Sequence, residues 1–161
     1  MFKNILVPTD GSRLSLKGVR SGVKLAKALG AKVAGVYVML PYQPATYGEV
    51  GPYFGDALSR EVYEKAARKN AQKALQAVER EARAAGVRCS TWTVVAPIPW
   101  QGIVKAARTR KCDAIAMASH GYGGLGGLIL GSETTRVLAH SKSLGVLEAF
   151  TTTRKESAAR R

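Results

Sequence analysis

The stretch KNILVPTDGS, residues 3–12, decides the fold. KNILVP is a short apolar run closed by Pro8, the composition of a strand buried on both faces. TDGS then reads as a turn, with Asp10 or Ser12 able to cap a helix. That helix follows, because Leu16, Val19, Val23 and Ala26 recur at helical spacing and Gly30 is a natural stop.

The same order repeats downstream. KVAGVYVML (32–40) is short and rich in β-branched and aromatic residues, which favours a second strand. From Ala57 to Ala85 a long helix is expected, with Leu58, Val62, Ala66, Leu75 and Val78 as its apolar stripe and Gly86 as its end. VRCSTWTVV (87–95) alternates in part and reads as a third strand. APIPW is a turn, and Pro99 starts a helix through GIVKAARTRK. DAIAMAS (113–119) is a fourth buried strand, SETTRVLAHS (132–141) a helix and LGVLEAF (144–150) a fifth strand.

Strands and helices alternating in this way predict an α/β fold: a Rossmann-like, doubly wound, five-stranded parallel sheet with helices on both faces. Residues 1–150 form one domain, and the basic tail 151–161 is expected to be disordered. Ligands of such sheets bind at the carboxyl ends of the strands, where strand order reverses.

Composition narrows the function classes. The chain has 161 residues, and no apolar run reaches membrane-spanning length. The start MFKNILVPTD becomes strand-like at once, so no signal peptide is expected. Cys89 and Cys112 lack metal-ligand spacing and read as buried free thiols in a reducing cytosol. The net charge of +14 invites a nucleic-acid reading, but the basic residues are dispersed and no docking motif or stacking platform accompanies them.

ASHGYGGLGGLILGS, residues 118–132, is both glycine-rich and apolar. Glycines let backbone N–H groups approach an anion without a Cβ in the way. A helix beginning at Ser132 adds unpaired N–H groups and the positive end of its dipole. The apolar side chains would anchor such a cradle. The bland alternative is that Ser132 only caps its helix and the glycines only make turns. The loop PYQPATYGEVGPYFGD (41–56) leaves the second strand at the same end. Tyr42, Tyr47, Tyr53 or Phe54 would close over a ligand as a lid, or pack among themselves on the surface.

Together, ILVPTDGS, GIVKAA, ASHGYGGLGGLILGS and SETTRVLAHS resemble the universal stress protein family over nearly the whole domain. That family shows G-x2-G-x9-G-[ST] after the fourth strand. Here the pattern reads Ala118-x2-Gly121-x9-Gly131-Ser132, with Ala118 in place of the first glycine. The resemblance implies a cytoplasmic, ATP-binding (or AMP- or ADP-binding) stress-response regulator rather than an enzyme. Pro8, Thr9 and Asp10 would line the ribose and phosphates, and Val38 would touch adenine. Met117, Ala118, His120 and Gly121 would pass beneath the ribose and phosphates. Gly131, Ser132, Glu133 and Thr134 would hold the phosphates, and Asp10 would be the residue to hold a Mg²⁺. His120 is read as a hydrogen-bonding loop residue rather than a general base. The methyl of Ala118 is expected to crowd the strand end where the nucleotide passes. The resemblance also implies a homodimer through the last strand, in which Glu148 interrupts the apolar run. The alternatives are a non-nucleotide-binding stress-fold scaffold, a slow ATP hydrolase using Asp10, and nucleic-acid binding through the basic surface.

Overall fold

In a computed structural model, the structure describes residues 2–43, 59–118, 132–141 and 145–149. The chain runs β1 (Asn4–Pro8), α1 (Arg13–Leu29), β2 (Lys32–Met39), α2 (Arg60–Ala85), β3 (Cys89–Val95), α3 (Pro99–Thr109), β4 (Ala114–Ala118), α4 (Ser132–His140) and β5 (Gly145–Ala149). The strands form one parallel sheet in the order β3-β2-β1-β4-β5. β1 is therefore central, with Ile5 in register with Val33 of β2 and Ala114 of β4. The expected parallel α/β architecture is the one found.

The continuous apolar run of β1 has a direct cause. Ile5 and Val7 join Val19, Val23, Val78 and Ala82 in a core beneath α1 and α2. Leu6, between them, joins Ile103, Ala107, Ile115 and Val137 in a second core beneath α3 and α4. Both faces of the strand are covered, so its central side chains, Ile5, Leu6 and Val7, are all apolar. The turn after β1 also resolves its open choice. Ser12 is the N-cap of α1 and accepts the Ser15 N–H at 3.1 Å, whereas Asp10 Oδ1 accepts the Ser12 N–H at 2.9 Å. Gly11, at φ 81°, supplies the left-handed step this turn needs.

Two expectations change. The second helix begins at Arg60 with Ser59 as its cap, and the stripe assigned to its first turns is not core. Val62 is 53% exposed and Ala66 is also exposed, and the buried residues begin at Ala71. Tyr63 explains why, because its hydroxyl reaches the carbonyl of Leu40, just past the end of β2. The first turns of α2 overrun the sheet and have none of the described strands beneath them. Cys112 is buried as expected, but Cys89 is only half-buried because β3 is an edge strand. Burial pushes both thiols up to about 11. Leu58, Tyr47, Tyr53, Phe54 and the tail 151–161 lie outside the described residues. No helix among the described residues is long and apolar enough to cross a membrane.

Candidate functional site

The carboxyl ends of β1, β2 and β4 open into a cavity of about 580 Å³. It sits beside the junction of β1 and β4, where the chain's crossovers change direction. Pro8, Thr9 and Asp10 enter from β1, Val38 from β2, Met117 and Ala118 from β4, and Ser132, Glu133 and Thr134 from the start of α4. These residues, distant in sequence, thus share one wall system. His120, Gly121 and Gly131 lie outside the described residues.

Local hydrogen bonds hold this lining in place. Thr9 is buried; its N–H donates to the Val36 carbonyl at 2.9 Å, and its hydroxyl lies 3.1 Å from that of Ser15. Thr134 is also buried and donates to the Ala118 carbonyl at 3.3 Å, tying α4 to the end of β4. α3 starts with Ile98 at its N-cap, a residue with no side-chain acceptor. Glu133 takes that role from α4, its Oε2 accepting the Trp100 N–H at 2.8 Å while Oε1 lies 3.4 Å from Arg136. The indole of Trp100 stacks on His140 at 4.2 Å, so α3 and α4 are joined at both levels.

The methyl of Ala118 faces α1. A Cβ placed on Gly18 would lie 3.0 Å from it, so the absence of a side chain at Gly18 makes room for this methyl on the α1 side. Val38 is similarly backed by Gly102, where an added Cβ would come within 2.9 Å of a Val38 methyl.

The electrostatics favour an ionised Asp10. Burial alone would raise its carboxyl, but hydrogen bonds from Ser12 and Ser15 outweigh that and hold it below its ordinary value. The phenol of Tyr37 is raised, first by burial and then by the charge of Asp10, so it stays neutral. Among the described residues no group of three or more His, Cys, Asp or Glu gathers to hold a metal. Asp10 is a single carboxylate, so a Mg²⁺ here would depend on oxygens brought by its ligand.

The sequence reading missed part of the wall. Tyr63, Ala66, Ala67 and Asn70 of α2 line the cavity, together with Tyr37, Met39 and Ile103. The four α2 residues fall at i, i+3, i+4 and i+7, so a helix face of mostly small residues was the available signal.

A parallel sheet with a cavity at the carboxyl edge, beside the strand-order reversal, defines an α/β protein with a candidate ligand site. The chain belongs to the universal stress protein family, whose description matches residues 1–143. It is 31% identical over 143 residues to a universal stress protein of Methanocaldococcus jannaschii, covering 88% of this chain and 78% of that one. It is 33% identical over 142 residues to one of Thermus aquaticus, covering 88% and 94%. A universal stress protein solved in complex with cAMP superposes with a TM-score of 0.67 at 26% identity, covering 94% of this chain and 99% of that one.

Proposed function

We propose that this chain is an adenine-nucleotide-binding stress-response regulator, with its ligand in the cavity at the carboxyl ends of β1, β2 and β4. The observation that carries this reading is the convergence of β1, β2, β4 and the start of α4 on one cavity. Its wall combines apolar groups suited to a base, such as Val38, Ile103 and Met117, with hydroxyls of Thr9, Ser12, Ser15 and Ser132. The relative solved with cAMP adds support for an adenine ligand. ATP, ADP and AMP are the ligands proposed, with the roles given above to Pro8, Thr9, Asp10, Val38, Met117, Ala118, His120, Gly121, Gly131, Ser132, Glu133 and Thr134.

A Mg²⁺ accompanying the phosphates would be held through Asp10, whose lowered pKa keeps a charged oxygen available. Regulation fits the lining better than catalysis, because Asp10 and Glu133 are both already engaged in backbone hydrogen bonds. A homodimer is proposed through β5, an edge strand of the sheet. Residues 1–150 are read as the domain and 151–161 as a tail. A cytoplasmic location is proposed, to which the free thiols are suited.

The test is to denature the purified chain and identify any released nucleotide by mass spectrometry, then to melt it with added adenine nucleotides. A ligand at about 100 times its Kd stabilises by about 2.7 kcal/mol. In a domain of this size that raises Tm by roughly 5–10 °C. Gly131→Val should abolish the shift. An empty protein whose Tm ignores millimolar ATP, AMP and cAMP would refute the proposal.

A further inference from the structure

The strands are parallel, so their amino ends share one edge of the sheet, opposite the cavity. The chain's dispersed basic residues meet at that edge. Lys3 precedes β1, Lys32 opens β2, Arg88 precedes β3, and Arg110 and Lys111 follow α3. Hydrogen bonds hold these segments side by side. The Lys32 N–H donates to the Lys3 carbonyl at 3.0 Å and the Val33 N–H to the Arg88 carbonyl at 2.8 Å. The Asn4 side chain donates to the carbonyls of Arg110 and Lys111 at 2.9 and 3.3 Å. All of these basic residues are exposed, and none joins an ion pair among the described residues. Lys27, Arg83 and Arg108 stand in the last turns of α1, α2 and α3, where they answer the negative ends of the helix dipoles. The carboxylates nearby are engaged within the chain. Asp113 accepts the N–H groups of Lys3 and Asn4 at 2.7 and 3.1 Å, Glu79 accepts the Thr91 hydroxyl, and Glu81 pairs with Arg20.

Two local features separate this edge from an ordinary solvated surface. α1, α2 and α3 end in the same pair of backbone hydrogen bonds, made by residues 30 and 31, 86 and 87, and 111 and 112. Gly30 and Gly86 supply the left-handed step at the first two ends, but the third carries Lys111 at φ 51°. A lysine there is strained where glycine would not be, and what the position gains is an ammonium. The second feature is Arg110, whose guanidinium lies 4.3 Å from the ring centroid of the half-buried Trp92. One face of the guanidinium rests on the indole, and a flat group can stack on the other.

We propose that this edge binds single-stranded nucleic acid, with phosphates on Lys3, Lys32, Arg88 and Lys111 and an unpaired base stacked on Arg110. The starts of four neighbouring strands span about 14 Å, room for a short run of nucleotides. No described helix or hairpin projects from the edge to enter a duplex groove, and a stacked base must be unpaired. A membrane surface is the poorer fit. Leu40, Val62, Val95 and Ile98, exposed and apolar, lie toward the carboxyl edge, and only Leu138 of α4 stands in a helix half nearer this one.

The test is fluorescence anisotropy of the full chain with labelled oligothymidylate and oligouridylate over a salt series. Four phosphate contacts at about 0.7 each give a log–log salt slope of about −2.8, a loss of roughly 50-fold in affinity between about 50 and 200 mM salt. Lys111→Gly should make the slope shallower by about 0.7 without lowering Tm, because glycine takes the left-handed conformation freely. Lys32→Gln, Arg88→Gln and Lys111→Gly combined should leave a slope of about −0.7. Arg110→Lys keeps the charge and the slope but loses the stack, and should weaken binding roughly fivefold or more. Binding undiminished in the folded triple variant would put the contact elsewhere, the tail 151–161 included, and overturn the proposal. Unchanged affinity in Arg110→Lys, absence of binding at the lowest salt, or capture of the chain by phosphatidylserine vesicles at salt that releases the oligonucleotides would overturn it as well.

Discussion

Gly18→Ala tests how closely α1 must approach the strand end that lines the cavity. Gly18 is a buried helical residue one turn from Gly22, and the pair meets β1 and β4. A methyl at Gly18 would lie 2.7 Å from the backbone N of Ala118 and 3.0 Å from its Cβ. Ordinary carbon contacts fall at about 3.5–4.0 Å. A long side chain could swing aside, but this neighbour is strand backbone, in register with Ala149 of β5. In an exposed helix the same change would stabilise by about 1 kcal/mol. Overpacking a tight interior costs about 1–3 kcal/mol, and a backbone neighbour argues for the upper half of that range. The net expectation is destabilisation by about 1–2 kcal/mol, a loss of roughly 2–4 °C in Tm for each kcal/mol. Ala118→Gly relieves the contact with Cβ but not the shorter one with N. The double variant should therefore recover only part of the loss, with a coupling measurable in a double-mutant cycle. Urea melts of the four proteins are the assay. If Gly18→Ala proves as stable as the wild type, helix propensity has won and the close-approach argument fails.

Asp10→Asn should destabilise the chain at neutral pH and cease to matter in acid. The folded pKa of Asp10 is depressed, so its stabilisation is complete above the ordinary value of 3.8 and is lost as pH falls through the lower folded value. Urea midpoints at about pH 7 and about pH 3 would check this, and an equal wild-type–variant difference at both would contradict it. The thiols offer a separate measurement. With both pushed up to about 11, native Cys89 and Cys112 should alkylate slowly with iodoacetamide near neutrality, Cys112 more slowly, and fast once unfolded in urea. Rapid stoichiometric labelling of native Cys112 would argue against its burial.

The fold was legible where a segment's own residues carried its environment. β1 is apolar from Ile5 to Val7 because both its faces are covered, and that pattern needs no knowledge of the partners. Gly30 and Gly86 end their helices in left-handed conformations, at φ 65° and 71°, which only their lack of a Cβ makes cheap. Pro99 starts α3 where a missing N–H costs nothing. The strand order β3-β2-β1-β4-β5 was not legible, since nothing within a strand says which neighbour it will take. The incomplete burial of Cys89 followed from that order, not from the strand that contains it.

The site divides along the same line. The wall from β1 and β4 was readable because a turn and a glycine-rich segment must follow those strands. The cap of Glu133 on α3 was not readable, because it joins residues 33 positions apart and leaves no local periodicity. The first half of α2 was misread for a physical reason. Val62 and Ala66 recur at helical spacing, and apolar spacing is ordinarily a sign of burial. Yet α2 outruns the sheet, so the face carrying Tyr63, Ala66, Ala67 and Asn70 has a cavity beneath it instead of a strand. Side-chain size does not mark the point where core gives way to cavity, because Ala71, Ala74 and Ala82 are buried on the same helix, so only the position of the sheet beneath α2 separates the two.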